Sequence, residues 1–471
     1  MNVKNNFITE SWMQPRFATS LSIVCISFLF ITWSGSLTAQ TTLIKNVSIL
    51  PMTGPELLSP RHVYISDGQI QKITDLPTGD TVDQEIDGSG LFLMPGLSEM
   101  HAHIPVPEDS DDLTYVKETL FLYLANGVTV IRGMLGNPFH LDLKNMVESG
   151  DILSPIVYTS SPSMNGNSVP DSETARQKVI AAKEDGYDFL KIHPGIKSQV
   201  MSELVSTAQE SGIGYSGHIP AEVGIWDAIK YRYGTIDHVD GIIQGLVRDE
   251  VKYDINNVGF FGSSLVDHLD WTKMAPIADA MVKNDIWVVP TQTLFTRWMS
   301  PKAVEAMMNE PEMKYLPAGI RYSWSQAKAS MISNEGYTTS NYRKFMAARK
   351  AIIFTLYKHG VKFLLGSDSP QVMNVPGFSI HHEIQSMIDT GMPVYEVLKS
   401  GTASPAIFFG QEGEYGTIVE GAVANLILVR ENPLENHRTL KSPVGVLVGD
   451  RFISNEEIQS ALKNIAERHK E

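Results

Sequence analysis

Pro95-Gly96-Leu97-Ser98-Glu99-Met100-His101-Ala102-His103 is the stretch around which the rest of the chain can be ordered. In an extended strand, residues two apart point the same way, so His101 and His103 can present two imidazoles to one metal ion. Taken alone, the pair equally describes two polar residues at a strand end. The chain that follows repeats the pattern. Short apolar strands end at Met100, Arg132, Thr159, Ile192, Ser216, His238, Pro290 and Gly366. Between them lie amphipathic stretches near residues 113–126, 139–149, 171–185, 199–211, 221–233, 270–283 and 342–359, with a last one at 380–390. Strands alternating with helices predict a parallel α/β architecture. Eight such units over residues 96–410 predict a (β/α)8 TIM barrel, a fold of roughly 250 residues that tolerates insertions. The alternative, an open doubly wound sheet, lacks its glycine fingerprint after the first strand.

Both flanks of this region read as short strands. Residues 43–50, 62–65, 69–73 and 91–93 are apolar or β-branched and are punctuated by the Asp67-Gly68 and Asp87-Gly88 turns. Residues 425–429, 444–448 and 451–453 repeat this near the end. Neither piece is large enough to bury a good core by itself. A composite β-sandwich built from residues 41–95 and 411–471 is therefore expected.

Residues 1–40 differ from the rest. Arg16 precedes an apolar run from Leu21 to Trp33, and the small and polar residues Ser34 to Gln40 follow. That order is the one of a secretory signal peptide, and the run falls short of the roughly 20 apolar residues of a membrane span. Cleavage near Ala39 or Gln40 is expected, Met13 is an alternative start, and a retained N-terminal anchor is the competing reading. The product would be periplasmic or secreted, with no stable membrane association after cleavage. Cys25, the single cysteine, lies within the run, so the mature chain has no disulfide, no thiolate zinc site and no cysteine nucleophile. A metal must be held by histidine and carboxylate. The net charge of -15, with no basic run, argues against a nucleic-acid partner. A small-molecule substrate is the expected partner, and a homo-oligomer is compatible with this composition.

His218, His238 and Asp368 also fall at the carboxyl ends of expected strands, where barrel enzymes collect catalytic groups. A chance histidine would as often fall on a helix surface, where His140, His437 and His469 are expected. Lys191, at the end of the fourth strand, points inward if Phe189 does. A lysine inside a barrel is costly unless its charge is removed or paired. Next to two metals its neutral amine can take up carbon dioxide as a bridging carbamate; the alternative is an ordinary ion pair to a barrel carboxylate.

With these residues in view, the chain resembles the amidohydrolase superfamily, in its imidazolonepropionase-related, prolidase-like branch. The motifs are PGLSEMHAH (95–103), GVTVIRGM (127–134), YDFLKI (187–192), GHIP (217–220), IDHVDG (236–241), GSDSP (366–370), GTASPA (401–406) and GTIVEGAVANLILVRENPL (416–434). The resemblance implies one metal held by His101, His103 and Asp368, a second held by His218 and His238, and carboxylated Lys191 bridging them. Lys191 favours this binuclear branch over the imidazolonepropionases themselves, which are expected to be mononuclear. Two departures stand out. His218-Ile219-Pro220 replaces the His-Ala-Tyr common in dipeptidase-like relatives, which speaks against Xaa-Pro and Xaa-Arg dipeptides. Asn425 stands where relatives usually carry aspartate.

Two divalent cations sharing a water would make it a hydroxide nucleophile near neutral pH, with Asp368 as the proton shuttle. Zinc suits histidine and carboxylate ligands; manganese, iron and cobalt are alternatives. The expected reaction is hydrolysis of a carbon–nitrogen bond in an N-acyl amino acid, dipeptide or cyclic amide. Esters, lactones or phosphotriesters are the alternative on the same site, followed by a non-catalytic binding protein. Arg132 is either a bidentate clamp for a substrate carboxylate or a barrel salt bridge. His193 is a candidate substrate contact. Arg297 and Tyr322, in the long connection 290–342, are candidates for a lid over the barrel. His381 and His382 are expected at the surface or as caps, and Met307-Met308 as packing.

Overall fold

The computed structural model describes residues 41–109 and 112–470; the expected signal peptide lies outside them. Five strands open the described chain: β1 (Thr42–Ile49), β2 (Leu58–Ser66), β3 (Gln69–Thr74), β4 (Gln84–Asp87) and β5 (Phe92–Pro95). Asp67 and Gly68 both take positive φ, 54° and 70°, as the two-residue turn between β2 and β3 requires. Eight strands follow: β6 (Leu97–Ala102), β7 (Val128–Gly133), β8 (Ile156–Thr159), β9 (Phe189–Ile192), β10 (Gly214–Gly217), β11 (Thr235–Asp237), β12 (Trp287–Val289) and β13 (Lys362–Phe363). The last three are β14 (Leu426–Val429), β15 (Gly445–Val448) and β16 (Arg451–Ser454).

The outer strands join across the whole length of the chain. One continuous eight-stranded sheet runs β16-β15-β14-β5-β1-β2-β3, with β4 paired to β1. At its joint, β5 runs parallel to β1 and antiparallel to β14, setting Leu428 opposite Leu93. Ile44, Val47, Ile49 and Val63 from one end share a core with Leu426, Leu428 and Leu447 from the other. The composite unit expected from both ends thus has its hydrogen bonds in a single sheet.

The middle strands are all parallel, in the orders β6-β7-β8 and β9-β10-β11-β12-β13. Backbone hydrogen bonds join these two runs at both seams. Asp188 N–H donates to Thr159 O (3.0 Å) and Ser161 N–H to Phe189 O (2.8 Å) on one side. On the other, Met100 N–H donates to Leu365 O (2.8 Å) and His103 N–H to Ser369 O (2.7 Å). The eight strands therefore form a closed ring, the expected (β/α)8 barrel, and the outer helices pack a continuous apolar core around it.

Two long helices, besides several short ones, were not expected from the sequence. Asn455–Arg468 starts at a capping box between Ser454 and Glu457, and its Ile458, Leu462 and Ile465 pack on Leu122 and Leu124. Ala318–Ser333 lies in the long connection, together with the shorter helices Gln292–Arg297 and Val304–Met308. Met307, Met313 and Trp324 of this connection pack on Val372, Met373 and Val375, which follow β13. The connection thereby covers the carboxyl end of the barrel, and Met307 is packing. Among the described residues, no helix is long and apolar enough to cross a membrane.

Candidate metal centre

The carboxyl ends of β6, β9, β10, β11 and β13 bring six residues to one end of the barrel: His101, His103, Lys191, His218, His238 and Asp368. Several of these positions need unusual backbone. His238 and Asp368 take left-handed φ values of 63° and 61°, a conformation costing about 1–3 kcal/mol that persists only where the surroundings enforce it. Arg349, buried, supplies one such support: it donates to His238 O (2.7 Å), Pro290 O (2.9 Å) and Gln292 Oε1 (2.8 Å). Gly217, at φ 126°, permits close approach of β10 to β9, since a Cβ there would lie 2.5 Å from Ile192 O.

The side chains then converge. His103 Nε2 lies 2.7 Å from Asp368 Oδ1, and His101 Nε2 lies 3.7 Å from the same oxygen. Lys191 Nζ is 3.4 Å from His101 Nε2. The His238 ring sits 4.5 Å from both the His101 and the His218 rings, centroid to centroid. His101, His238 and Asp368 can offer three ligand atoms all within 4.8 Å of one another. Two of the rings have orienting partners on their other nitrogen: His218 Nδ1 is 3.1 Å from Asp240 and His238 Nδ1 is 2.8 Å from Thr291 Oγ1. Such outer bonds set which nitrogen faces a metal.

Burial controls the charges. It holds the imidazoles of His101 and His238 well below their ordinary value, helped at His101 by Lys191 and at His238 by His218. Burial also brings the Lys191 ammonium down to about 8, against the pull of Asp237 and Asp368. Asp237 goes the other way. Burial opposes its ionisation, but Arg132 and Lys191 outweigh that and keep it below the usual carboxylate range. Glu99, pushed up to about 8 by burial, accepts hydrogen bonds from the backbone N–H groups of His101 (3.0 Å) and Ser367 (2.7 Å), tying β6 to the segment carrying Asp368.

This donor set fits a metal. His101 Nδ1 and Asp237 Oδ2 are buried 2.9 Å apart, yet neither has a hydrogen-bond partner. Neutral imidazoles and ionised carboxylates without thiolates are the ligand chemistry of zinc and its borderline neighbours.

Residues 92–453 match the amidohydrolase family. The chain belongs to this family. It is thus a hydrolase acting on carbon–nitrogen bonds. The amidohydrolase is also 23% identical over 429 residues to the 5-methylthioadenosine/S-adenosylhomocysteine deaminase of Caldanaerobacter subterraneus subsp. tengcongensis, covering 84% of this chain and 86% of that enzyme. Its fold resembles that of a bottromycin amidohydrolase, with a TM-score of 0.69 and 20% identity over 91% of this chain and 90% of that one. A Xaa-Pro dipeptidase with bound methionine in its active site gives a TM-score of 0.62 at 19% identity, over 88% of this chain and 100% of that one.

Other residues singled out in the sequence fall elsewhere. Arg132 does not line an open site. It is fully buried and donates to Met100 O (2.7 Å) and Thr235 Oγ1 (3.2 Å), with Asp237 at 3.4 Å, so the barrel salt bridge is the arrangement adopted. His193 stacks on His218 at 5.0 Å and bonds Ser163 through Nδ1; burial, then Lys191, pushes it to about 2. Arg297 is buried between Glu310, Glu312, His382 and Met373 O, fastening the connection in place, whereas Tyr322 is exposed. His140 and His381, expected at the surface, are buried. The His140 ring reaches Ile104 O (3.1 Å), beside His103. His382 pairs with Glu312, and His437 and His469 meet Gln385 and Glu118. The sequence reading missed Asp237, although two inward cations, Arg132 and Lys191, call for a carboxylate between them. It also missed Phe261, whose ring lies 5.3 Å from that of His238; no sequence signal marked it.

Proposed function

We propose that this amidohydrolase is exported and hydrolyses the amide of an N-acyl amino acid, a dipeptide or a cyclic amide, at a centre for two divalent ions, zinc being the best fit. The observation that carries this reading is the convergence of four histidines, Asp368 and buried Lys191 at the carboxyl end of the barrel, with His101 and His238 held neutral. Neutral imidazole is the form that binds a cation. One ion would be held by His101, His103 and Asp368, and the other by His218 and His238. Lys191 would bridge them as a carbamate. Its free amine adds to the carbon of carbon dioxide, forming an N–C bond and releasing one proton. When bound, the divalent ions would lower the pKa of a water toward neutrality and would polarise a carbonyl.

The chain's own groups do the rest. Asp368 accepts the proton of the attacking water and delivers it to the leaving nitrogen. Asp368 is nearest His103 (2.7 Å) and farther from His238 (3.8 Å), which supports a reading with the leaving amine on the His103 side and the acyl half toward His218 and His238. Asp240 and Thr291 hold those two rings in register.

The test is elemental analysis of the purified exported protein, with its N-terminal sequence, followed by a panel of acyl amino acids, dipeptides, lactones and phosphotriesters. Two divalent ions per chain, a start near residue 40, and amide cleavage lost on chelation and restored by zinc are expected. Full activity in chelator, or cleavage of lactones and phosphotriesters alone, overturns the proposal.

A further inference from the structure

The helix Ala318–Ser333 presents one face to two cavities. Ile320, Ser323 and Trp324, near its start, line a pocket of about 240 Å³ that includes His103 and Pro370. Ala327, Ser330 and Met331, one to two turns further along the same face, line a larger cavity of about 890 Å³. Phe260, Trp298, Met299, Tyr337 and Tyr342 form much of its remaining wall, and no charged residue lines it. The wall is braced from behind. Buried Lys328 donates to the carbonyls of Arg297 (2.7 Å) and Trp298 (3.1 Å), and Trp298 Nε1 donates to Ala327 O (3.3 Å).

A pair of phenylalanines separates this cavity from the metal centre. Phe260 belongs to the cavity wall and meets Trp298 at 5.2 Å. Phe261, next in the chain and 4.8 Å from Phe260, turns to the histidines, 5.3 Å from His238 and 5.8 Å from His218. Its backbone is left-handed (φ 51°, ψ 39°) and Gly262 follows at φ 81°. A phenylalanine keeps that conformation only where its surroundings hold it, here with the Phe295 ring at 5.1 Å.

We propose that the larger cavity is the subsite for the acyl part of the substrate, that this acyl group is a bulky uncharged aryl or long alkyl chain, and that Phe261 is the specificity-determining residue at its entrance. The inference rests on the amide reaction proposed above, which places the acyl half on the His218–His238 side. Aromatic and methionine side chains make up much of the lining, and serine, threonine and asparagine much of the rest. With no charged side chain to pair a carboxylate or ammonium, the cavity favours an uncharged, largely apolar group. Its size and its aromatic wall are those of a small-molecule subsite. The smaller pocket at His103 then receives the amine half.

The test compares 2-naphthoate with acetate, two acyl products that differ only in the group entering the cavity. Calorimetric titration into the zinc-loaded enzyme should show naphthoate binding at least about tenfold tighter, as expected for burying an aromatic ring. Ser330→Trp, at an exposed helix position, and Met331→Trp both fill the cavity and should remove most of that preference. Circular dichroism and zinc content verify that each variant is folded. The kcat/KM ratio of N-naphthoyl to N-acetyl amides should fall in parallel, mainly through KM. Equal affinity for the two carboxylates, or a preference that survives both substitutions, overturns the proposal. Binding is read without turnover, so an enzyme that cleaves no amide still decides the cavity. An enzyme that cleaves amides without acyl preference keeps the reaction and loses the subsite.

Discussion

Replacing Arg132 by methionine keeps most of the side chain's apolar body and deletes its guanidinium. In the fold that group lies between the Phe189 and Phe408 rings, 5.3 and 5.4 Å from their centroids. It supplies the hydrogen bonds to Met100 O and Thr235 Oγ1 and the ion pair to Asp237. Removing one partner of a buried pair costs about 3–5 kcal/mol, because the other charge stays buried. Asp237 would keep Thr235 Oγ1 at 2.6 Å and Lys191 at 3.8 Å, so a loss of about 3 kcal/mol, the lower end of that range, is expected. The pH dependence follows from Asp237. Its folded pKa lies below the ordinary 3.8, so its contribution is present above that pH and is lost as pH falls through the folded value. The gap between wild type and Arg132→Met in urea unfolding should therefore be full at neutral pH and narrow in acid. The double variant Arg132→Met/Asp237→Leu, with no charge left unpaired, should recover part of the loss. If Arg132→Met unfolds at the same urea concentration as wild type and raises only KM, the guanidinium serves substrate and the structural argument fails.

Lys191→Ala should lose at least one ion by elemental analysis and reduce turnover by at least about a hundredfold, the upper end of the cost of disturbing a metal's supporting groups. Retention of two ions with full activity would discard the carbamate. Burial brings His140 to about 4 and His381 to about 3, against 6.5 when unfolded. Both contribute stability above pH 6.5 that is lost as pH falls toward those folded values, since the unfolded chain takes up the protons first. Melting temperature should drop across that window, and His140→Gln/His381→Gln should flatten the drop; an unchanged slope would rule these two residues out as its source.

The strand ends were readable because their chemistry is local. A barrel strand shows its apolar run, and the polar residue that ends it stands out against that run, as His101, His103, His218, His238 and Asp368 do. Other features were present in the sequence but were not recognised. The Ser454–Glu457 capping box with Ile458, Leu462 and Ile465 at helical spacing was legible as a helix start. Ala318–Ser333 was harder, because Ile320, Trp324, Ala327 and Met331 share its inner face with Ser323 and Ser330, and the mixed face faces cavities.

The sequence by itself determined the alternation of strands and helices, the pairing of both ends into one unit, and which residue types could hold a metal, since each depends on periodicity and side-chain chemistry along a few neighbouring residues. Only the tertiary structure decided what those residues meet. Arg132 is committed to Asp237 because β7 and β11 point their side chains into the same barrel interior. His140 is buried because the chain after β6 brings Ile104 O to its ring. Phe261 stands over His218 and His238 because a left-handed turn, far from both in sequence, is held there by Phe295. Such pairings join strand ends and loops scattered along the chain, and no local pattern encodes them.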